Sequence, residues 1–125
     1  LKAEGAPVDR VLIDHNTEET IRQSVETGCY SGMTVYPISK LDPERVSEII
    51  RQYGVERMIV DGSADWGVSD PLSLVKTVAH MRARGHAEAS IQKLVYENPM
   101  AFYAHSPNWK PELDIRPLDP REFQR

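Results

Sequence analysis

Asp42-Pro43-Glu44-Arg45-Val46-Ser47-Glu48-Ile49-Ile50-Arg51-Gln52-Tyr53-Gly54, followed shortly by Met58-Ile59-Val60-Asp61, decides the fold. Asp42 is a strong helix N-cap, and Pro43 at the first helical position loses nothing by lacking an N–H. Val46, Ile49, Ile50 and Tyr53 fall at i, i+3, i+4 and i+7, which gathers them on one apolar stripe. Gly54 supplies the left-handed stop. Met58-Ile59-Val60 is then a short unbroken apolar run, the signature of a strand buried on both faces. A helix feeding such a strand is one βα repeat of a parallel sheet.

The same rhythm extends both ways. Upstream, Val8, Val11, Leu12 and Ile13 predict a strand that ends at Asp14-His15. Asn16, with Glu19 three residues on, reads as a capping-box-like helix start; Ile21 and Val25 share a face, and Gly28 is the stop. After Cys29-Tyr30-Ser31-Gly32, the run Met33-Thr34-Val35-Tyr36 predicts a second strand closed by Pro37. Downstream, an irregular loop from Gly62 to Ser69 leads to a second cap pair, Asp70-Pro71. The helix it opens carries Leu72, Val75, Val78 and Met81 and stops at Gly85. A further helix over 87–97 turns Ile91, Leu94 and Val95 inward, and Asn98-Pro99 is expected to break it.

Strand–helix units recurring at roughly two dozen residues give the fold class: α/β, built of parallel βα repeats. A sheet of three such units leaves two edges, and a closed (β/α)8 barrel needs about 250 residues. The chain has 125. Either the chain is a small open sheet with partner elements, or it is one end of a larger fold. Residues 106–125 hold Pro107, Pro111, Pro117 and Pro120 and read as a Pro-rich extended tail. The opening Leu1-Lys2-Ala3, with no initiator Met and no signal-like apolar region, suggests a processed product or a fragment.

Composition narrows the function. Lys+Arg number 15 against Asp+Glu 19, a net charge of −4, which disfavours nucleic-acid backbone binding as the main role. No run of about 18 apolar residues exists to cross a membrane. The one thiol, Cys29, makes no internal disulfide, so a reducing compartment and a cytoplasmic location are expected. The Walker loop, the Rossmann glycine fingerprint, the nucleophile-elbow serine motif and the helical zinc motif are all absent.

In parallel α/β proteins, working groups lie at the C-terminal ends of strands and in the loops beyond. Here that rule selects Asp14, His15 and Asn16, then Thr34 and Tyr36, then Asp61, Ser63, Asp65 and Trp66. Each has a plainer reading. His15 can cap or pack at a helix start, Asp14 can sit beside helix amides, and Asp61 can bond loop N–H groups. Asp65 projects mid-loop; Trp66 either stacks on a ligand or forms an aromatic lid. Asp70 reads as an N-cap, His80, His86 and His105 as solvated, and Cys29 has no His near it in sequence.

At Met58 to Pro71, the run M-I-V-D-G-S-A-D-W-G-V-S-D-P, with Y-E-N-P-M-A-F-Y at Tyr96 to Tyr103, resembles the C-terminal end of TatD-like metal-dependent hydrolases. These belong to the amidohydrolase superfamily of (β/α)8 barrels, and the likeness is to its EboC-like branch. The resemblance spans Val8 to His105 as strands six to eight, and implies that residues 1–105 are the C-terminal part of such a barrel, its last three βα units. It implies that Asp65 is the catalytic, metal-binding and proton-handling Asp, with Asp61 the alternative. His15 takes the slot of the sixth-strand ligand, and Asn98-Pro99-Met100-Ala101-Phe102 matches the N-P-x-x-F-like ending. Trp66 and Tyr36 would line the substrate mouth. The implied cofactor is a divalent metal ion (zinc, manganese or magnesium), and the implied substrate a small ester, amide or phosphoester. The family's first-strand H-x-H pair, bridging carboxylate and fifth-strand His have no counterpart here. The expected partner is accordingly the missing N-terminal half-barrel or a second chain, with self-association of the open edges as another outcome. The rival expectation is a non-catalytic half-barrel acting as a binding or assembly module.

Overall fold

Three parallel strands lie side by side in chain order, β1 (Leu12–Ile13), β2 (Tyr30–Val35) and β3 (Met58–Gly62). The computed structural model describes residues 5–36, 38–63 and 68–110. Helices follow each strand: α1 (Ile21–Thr27), α2 (Pro43–Tyr53) and α3 (Ser73–Ala83). A last helical stretch comprises α4 (Glu88–Gln92), a π-helical segment (Lys93–Glu97) and α5 (Asn98–Tyr103). The α/β class and the parallel βα order expected from the sequence are therefore present.

Alternation along the strands assigns the layers. Met33 and Val35 of β2, with Met58 and Val60 of β3, join Ile21 of α1, Val46, Ile49 and Ile50 of α2, Met81 of α3, and Ile91 and Leu94 in one buried cluster. Ser31 belongs to the same face and is buried without strain because its hydroxyl bonds that of Ser24 on α1 at 2.7 Å. Gly32, Thr34 and Asp61 alternate onto the opposite side. Helix α2 follows the sequence closely: the Asp42 carboxylate accepts the Arg45 N–H at 2.9 Å, and Gly54 ends the helix at φ 78°.

Several expectations need correction. The first strand is only Leu12–Ile13, because Val8–Arg10 wind into a 3-10 turn. The second starts earlier, at Tyr30, since the Ser24–Ser31 pair lets polar residues into a buried strand. Asn16 is not a cap: α1 begins at Ile21 after a Thr17–Thr20 turn, and Val25 is exposed while Ser24 is buried. Asp70 does accept the Leu72 N–H, at 3.0 Å, but α3 begins at Ser73. Its inward face is Ser73, Thr77 and Met81, leaving Leu72 and Val75 exposed, because small residues allow the helix to approach β3 closely. A Cβ on Gly62 would collide with the Ser73 hydroxyl.

Asn98-Pro99 does not break the last helix. Pro99 offers no N–H to a regular turn, and the chain absorbs the loss in the wider π turn just before it. Asn98 is buried, donating both amide protons to the carbonyls of Val55 and Met58, each at 2.7 Å. It thereby fixes the helix to the start of β3. Phe102 then covers Tyr30 at the N-terminal end of the sheet, ring centres 5.1 Å apart. Ser106 to Lys110 are exposed; the rest of the expected Pro-rich tail, from Pro111, lies outside the described residues, as does Pro37.

Candidate functional site

All three strands deliver polar groups to one rim, at their C-terminal ends. Thr34 is the centre of it. In the β2–β3 register it lies directly beside Asp61, and its hydroxyl bonds the Asp61 side chain. From the other side, the His15 ring, just beyond β1, places Nδ1 2.8 Å from Thr34 Oγ1. Asp14 completes the group: Oδ1 accepts the His15 N–H at 2.7 Å, and Oδ2 stands 3.6 Å from His15 Nδ1. Asp14, His15, Thr34, Lys40, Asp61, Gly62 and Ser63 line an open cavity of about 350 Å³.

The local backbone explains why His15 reaches Thr34. His15 adopts φ 61°, a left-handed conformation uncommon for a residue with a Cβ. Two devices hold it there. Asn16 is buried and donates its side-chain amide to Ile13 O at 2.6 Å and Gly32 O at 3.0 Å, while its own N–H also bonds Gly32 O at 2.9 Å. Gly32 in turn leaves room for Asp14: a Cβ there would fall on the Asp14 carboxylate and lie 3.2 Å from the Asp14 Cα. The strap after β1 thus lies directly on the middle of β2.

Outside the cavity, Arg45 at the start of α2 grips the Glu18 carboxylate through Nε and Nη2 at 2.7 and 2.6 Å, and Lys40 O through Nη1 at 2.7 Å. The guanidinium holds Glu18 below the usual carboxylate range, mainly by hydrogen bonding. This clasp joins the loop after β1 to the loop after β2.

Electrostatics single out Asp61. Burial pushes its carboxyl above the ordinary value; the Thr34 hydrogen bond opposes this, Asp14 adds to it, and His15 and Lys40 counter it. Two carboxylates therefore share a rim with one imidazole and one ammonium group, a setting that favours cations or proton transfer.

Tyr36 follows β2, half-buried, with its backbone engaged by Leu41 O and Lys40 N; it is not among the described residues that line the cavity. Asp65 and Trp66 lie outside the described residues. Among those described, no three His, Cys, Asp or Glu side chains converge closely enough to hold a metal ion. Asp14, His15 and Asp61 are thus an incomplete donor set on their own. The other histidines sit elsewhere, and His80 and His86 are not the solvated groups expected. His86 Nε2 bonds Ser47 Oγ at 2.8 Å, and His80 Nε2 is buried 3.0 Å from Glu44 Oε2 without hydrogen-bond geometry. Both belong to the seam between α2 and α3. His105 lies 3.6 Å from Asp9. Cys29 is buried, as suits a packed thiol.

Sequence reasoning found His15, Thr34 and Asp61 by their place at strand ends. It missed the roles of Asn16, Gly32 and Arg45. The signal for Gly32 was present, a glycine inside a strand run, which marks close backbone approach.

No family model matches the chain. A protein of Methanocaldococcus jannaschii described as an uncharacterized metal-dependent hydrolase is 35% identical over 95 residues, 74% of this chain and 36% of that protein. The chain therefore spans about a third of the length of the curated relative it matches.

Proposed function

We propose that this chain is the carboxy-terminal part of a TatD-like metal-dependent hydrolase, its three βα units being the last three of a (β/α)8 barrel. One observation carries the reading: three parallel strands in chain order bring His15, Thr34 and Asp61 into contact at their C-terminal rim. That is where such barrels keep their chemistry. The relative named as a metal-dependent hydrolase supports the same reading, and its greater length is in keeping with further barrel strands.

His15 and Asp65 would hold a divalent ion (zinc, manganese or magnesium), completed by ligands beyond this chain: the rest of the barrel or a second chain. When bound, such an ion acts as a Lewis acid and brings the pKa of a water toward neutrality. Within this chain, Asp65 is assigned proton handling, Asp61 supports Thr34, and Trp66 borders the substrate; Tyr36, outside the described lining of the cavity, would meet only a substrate that extends past it. The substrate is a small ester, amide or phosphoester.

The test is metal content and hydrolysis of nitrophenyl phosphate and nitrophenyl acetate by the encoded protein, against His15→Ala and Asp65→Asn. The reading expects bound metal and a fall in rate of at least about 100-fold in each variant. Rates and metal content equal to wild type in both variants would remove it. The incomplete donor set among the described residues favours a second reading, a half-barrel that binds or assembles without catalysis. Correct folding with neither metal nor turnover in the wild-type protein would select it.

A further inference from the structure

Helix α3 starts beside the end of β3, and a second cavity lies between the two. Gly62, Ser63, Asp70, Pro71, Ser73 and Leu74 line it, and its volume is about 300 Å³. Ser73 is 5% exposed, yet among the described residues its hydroxyl has no hydrogen-bond partner; only its backbone is engaged, the N–H with Asp70 O and the carbonyl with Thr77 Oγ1. Oγ lies over the Gly62 Cα, on the cavity side of the helix, where any Cβ on Gly62 would collide with it. A buried hydroxyl without a partner costs stability unless a ligand supplies one.

The amides of the first turn add to it. Asp70 takes the Leu72 and Ser73 N–H groups, whereas those of Leu74 and Val75, the second and third of α3, have no acceptor among the described residues. Asp70 is the one carboxylate among the described lining residues, and the Lys76 ammonium already holds it at 2.6 Å. The helix runs for 11 residues, so its aligned peptide dipoles leave this end positive. A hydroxyl and two amides without acceptors at such an end suit an oxyanion.

We propose that this cavity holds a phosphate group of the substrate, with Ser73 Oγ and the Leu74 and Val75 N–H groups as its donors. The cavity shares Gly62 and Ser63 with the one lined by Asp14, His15, Thr34 and Asp61. A phosphate anchored here, which does not itself react, places the rest of a small molecule at that rim, where the bond to be hydrolysed lies. That the phosphorylated molecule is a substrate rests on the hydrolase reading above; the phosphate site itself does not.

Titration of the nitrogen-15-labelled encoded protein with inorganic phosphate, followed through its amide resonances, tests the site. Metal is first removed with a chelator and ionic strength is held constant, at about pH 8, where a phosphate carries nearly two charges. The Leu74 and Val75 amide protons are expected to move downfield and saturate, and acetate, with its single charge, to bind more weakly. Ser73→Ala should weaken phosphate binding about 10-fold or more, the worth of a hydrogen bond to a charged group. Absence of a saturable shift at Leu74 and Val75 in the wild type overturns the proposal, as does acetate binding as tightly as phosphate. So does a folded Ser73→Ala variant that binds within about 2-fold of wild type. If that variant fails to fold, the two wild-type titrations still decide. Neither metal nor turnover enters the readout, so loss of the phosphate site and loss of the hydrolase assignment are separate results.

Discussion

Replacing Asn16 by Asp separates two accounts of the loop that carries His15. As an N-cap, Asn16 would exchange with Asp at almost no cost, since both are preferred caps. In the structure its side chain is a donor: both amide contacts go to carbonyls, Ile13 O at 2.6 Å and Gly32 O at 3.0 Å, in a buried position. Asn16→Ala removes two hydrogen bonds at about 0.5–1.5 kcal/mol each, so a loss of about 1–3 kcal/mol follows. Asn16→Asp goes further, because it sets a buried carboxylate against two carbonyl oxygens; a loss of about 3–5 kcal/mol is expected at neutral pH. With a urea slope of about 1–3 kcal/mol/M for a small protein, the Asp variant should lower the unfolding midpoint by at least about 1 M. Urea titration followed by circular dichroism measures it. An Asp variant within about 0.5 kcal/mol of wild type, and no worse than Ala, would refute the clamp and restore the cap.

Asn98 repeats the device at the start of β3, so Asn98→Asp should also lose more stability than Asn98→Ala in the same titration. Gly32→Ala should cost about 1–3 kcal/mol and shift the His15 ring resonances, because the new methyl group meets Asp14; unchanged resonances would mean that the strap is not seated on β2. Asp61 has its folded pKa raised, so the folded state binds more protons than the unfolded one between the unfolded value, 3.8, and the higher folded value. Stability from this group is therefore full below that window and lost as pH rises through it. Asp61→Asn should flatten that part of the melting-temperature profile and raise the melting temperature at neutral pH; a lower one would contradict the assignment. His86 runs the other way: burial, the largest cause, lowers its pKa below 6.5, so its contribution is full above that value and lost as pH falls through the folded pKa. His86→Gln should weaken this acid-side loss in thermal melts.

What the sequence made legible depends on whether one residue type had one explanation. Helix α2 was readable because Asp42, Pro43, the apolar stripe and Gly54 all agree with its bounds. Strand β2 was only half readable, since Ser31 and Gly32 look like turn residues until the Ser24 hydroxyl and the Asp14 carboxylate are seen against them. The stripe on α3 was misread for a related reason: small Ser73 and Thr77, rather than Leu72 and Val75, face the sheet. Asn16 and Asn98 carry the same lesson. Asparagine is a frequent cap and breaker in sequence, yet both side chains here donate to carbonyls far along the chain, a tertiary fact without local signature. The rim itself was legible in outline, because strand ends are given by apolar runs. Thr34 was selected in the same way, by position alone; that it stands 2.8 Å from the His15 ring and beside Asp61 is a tertiary fact that the sequence does not carry.

The most direct measurement is the position of a metal ion by anomalous scattering, in crystals of the encoded protein grown with zinc. The account predicts a single strong peak within coordination distance of His15 Nε2 and an Asp65 carboxylate oxygen, about 2.0–2.2 Å from each. A peak on His15 Nδ1, a peak remote from both residues, or none at full occupancy of the crystal with zinc, would contradict it.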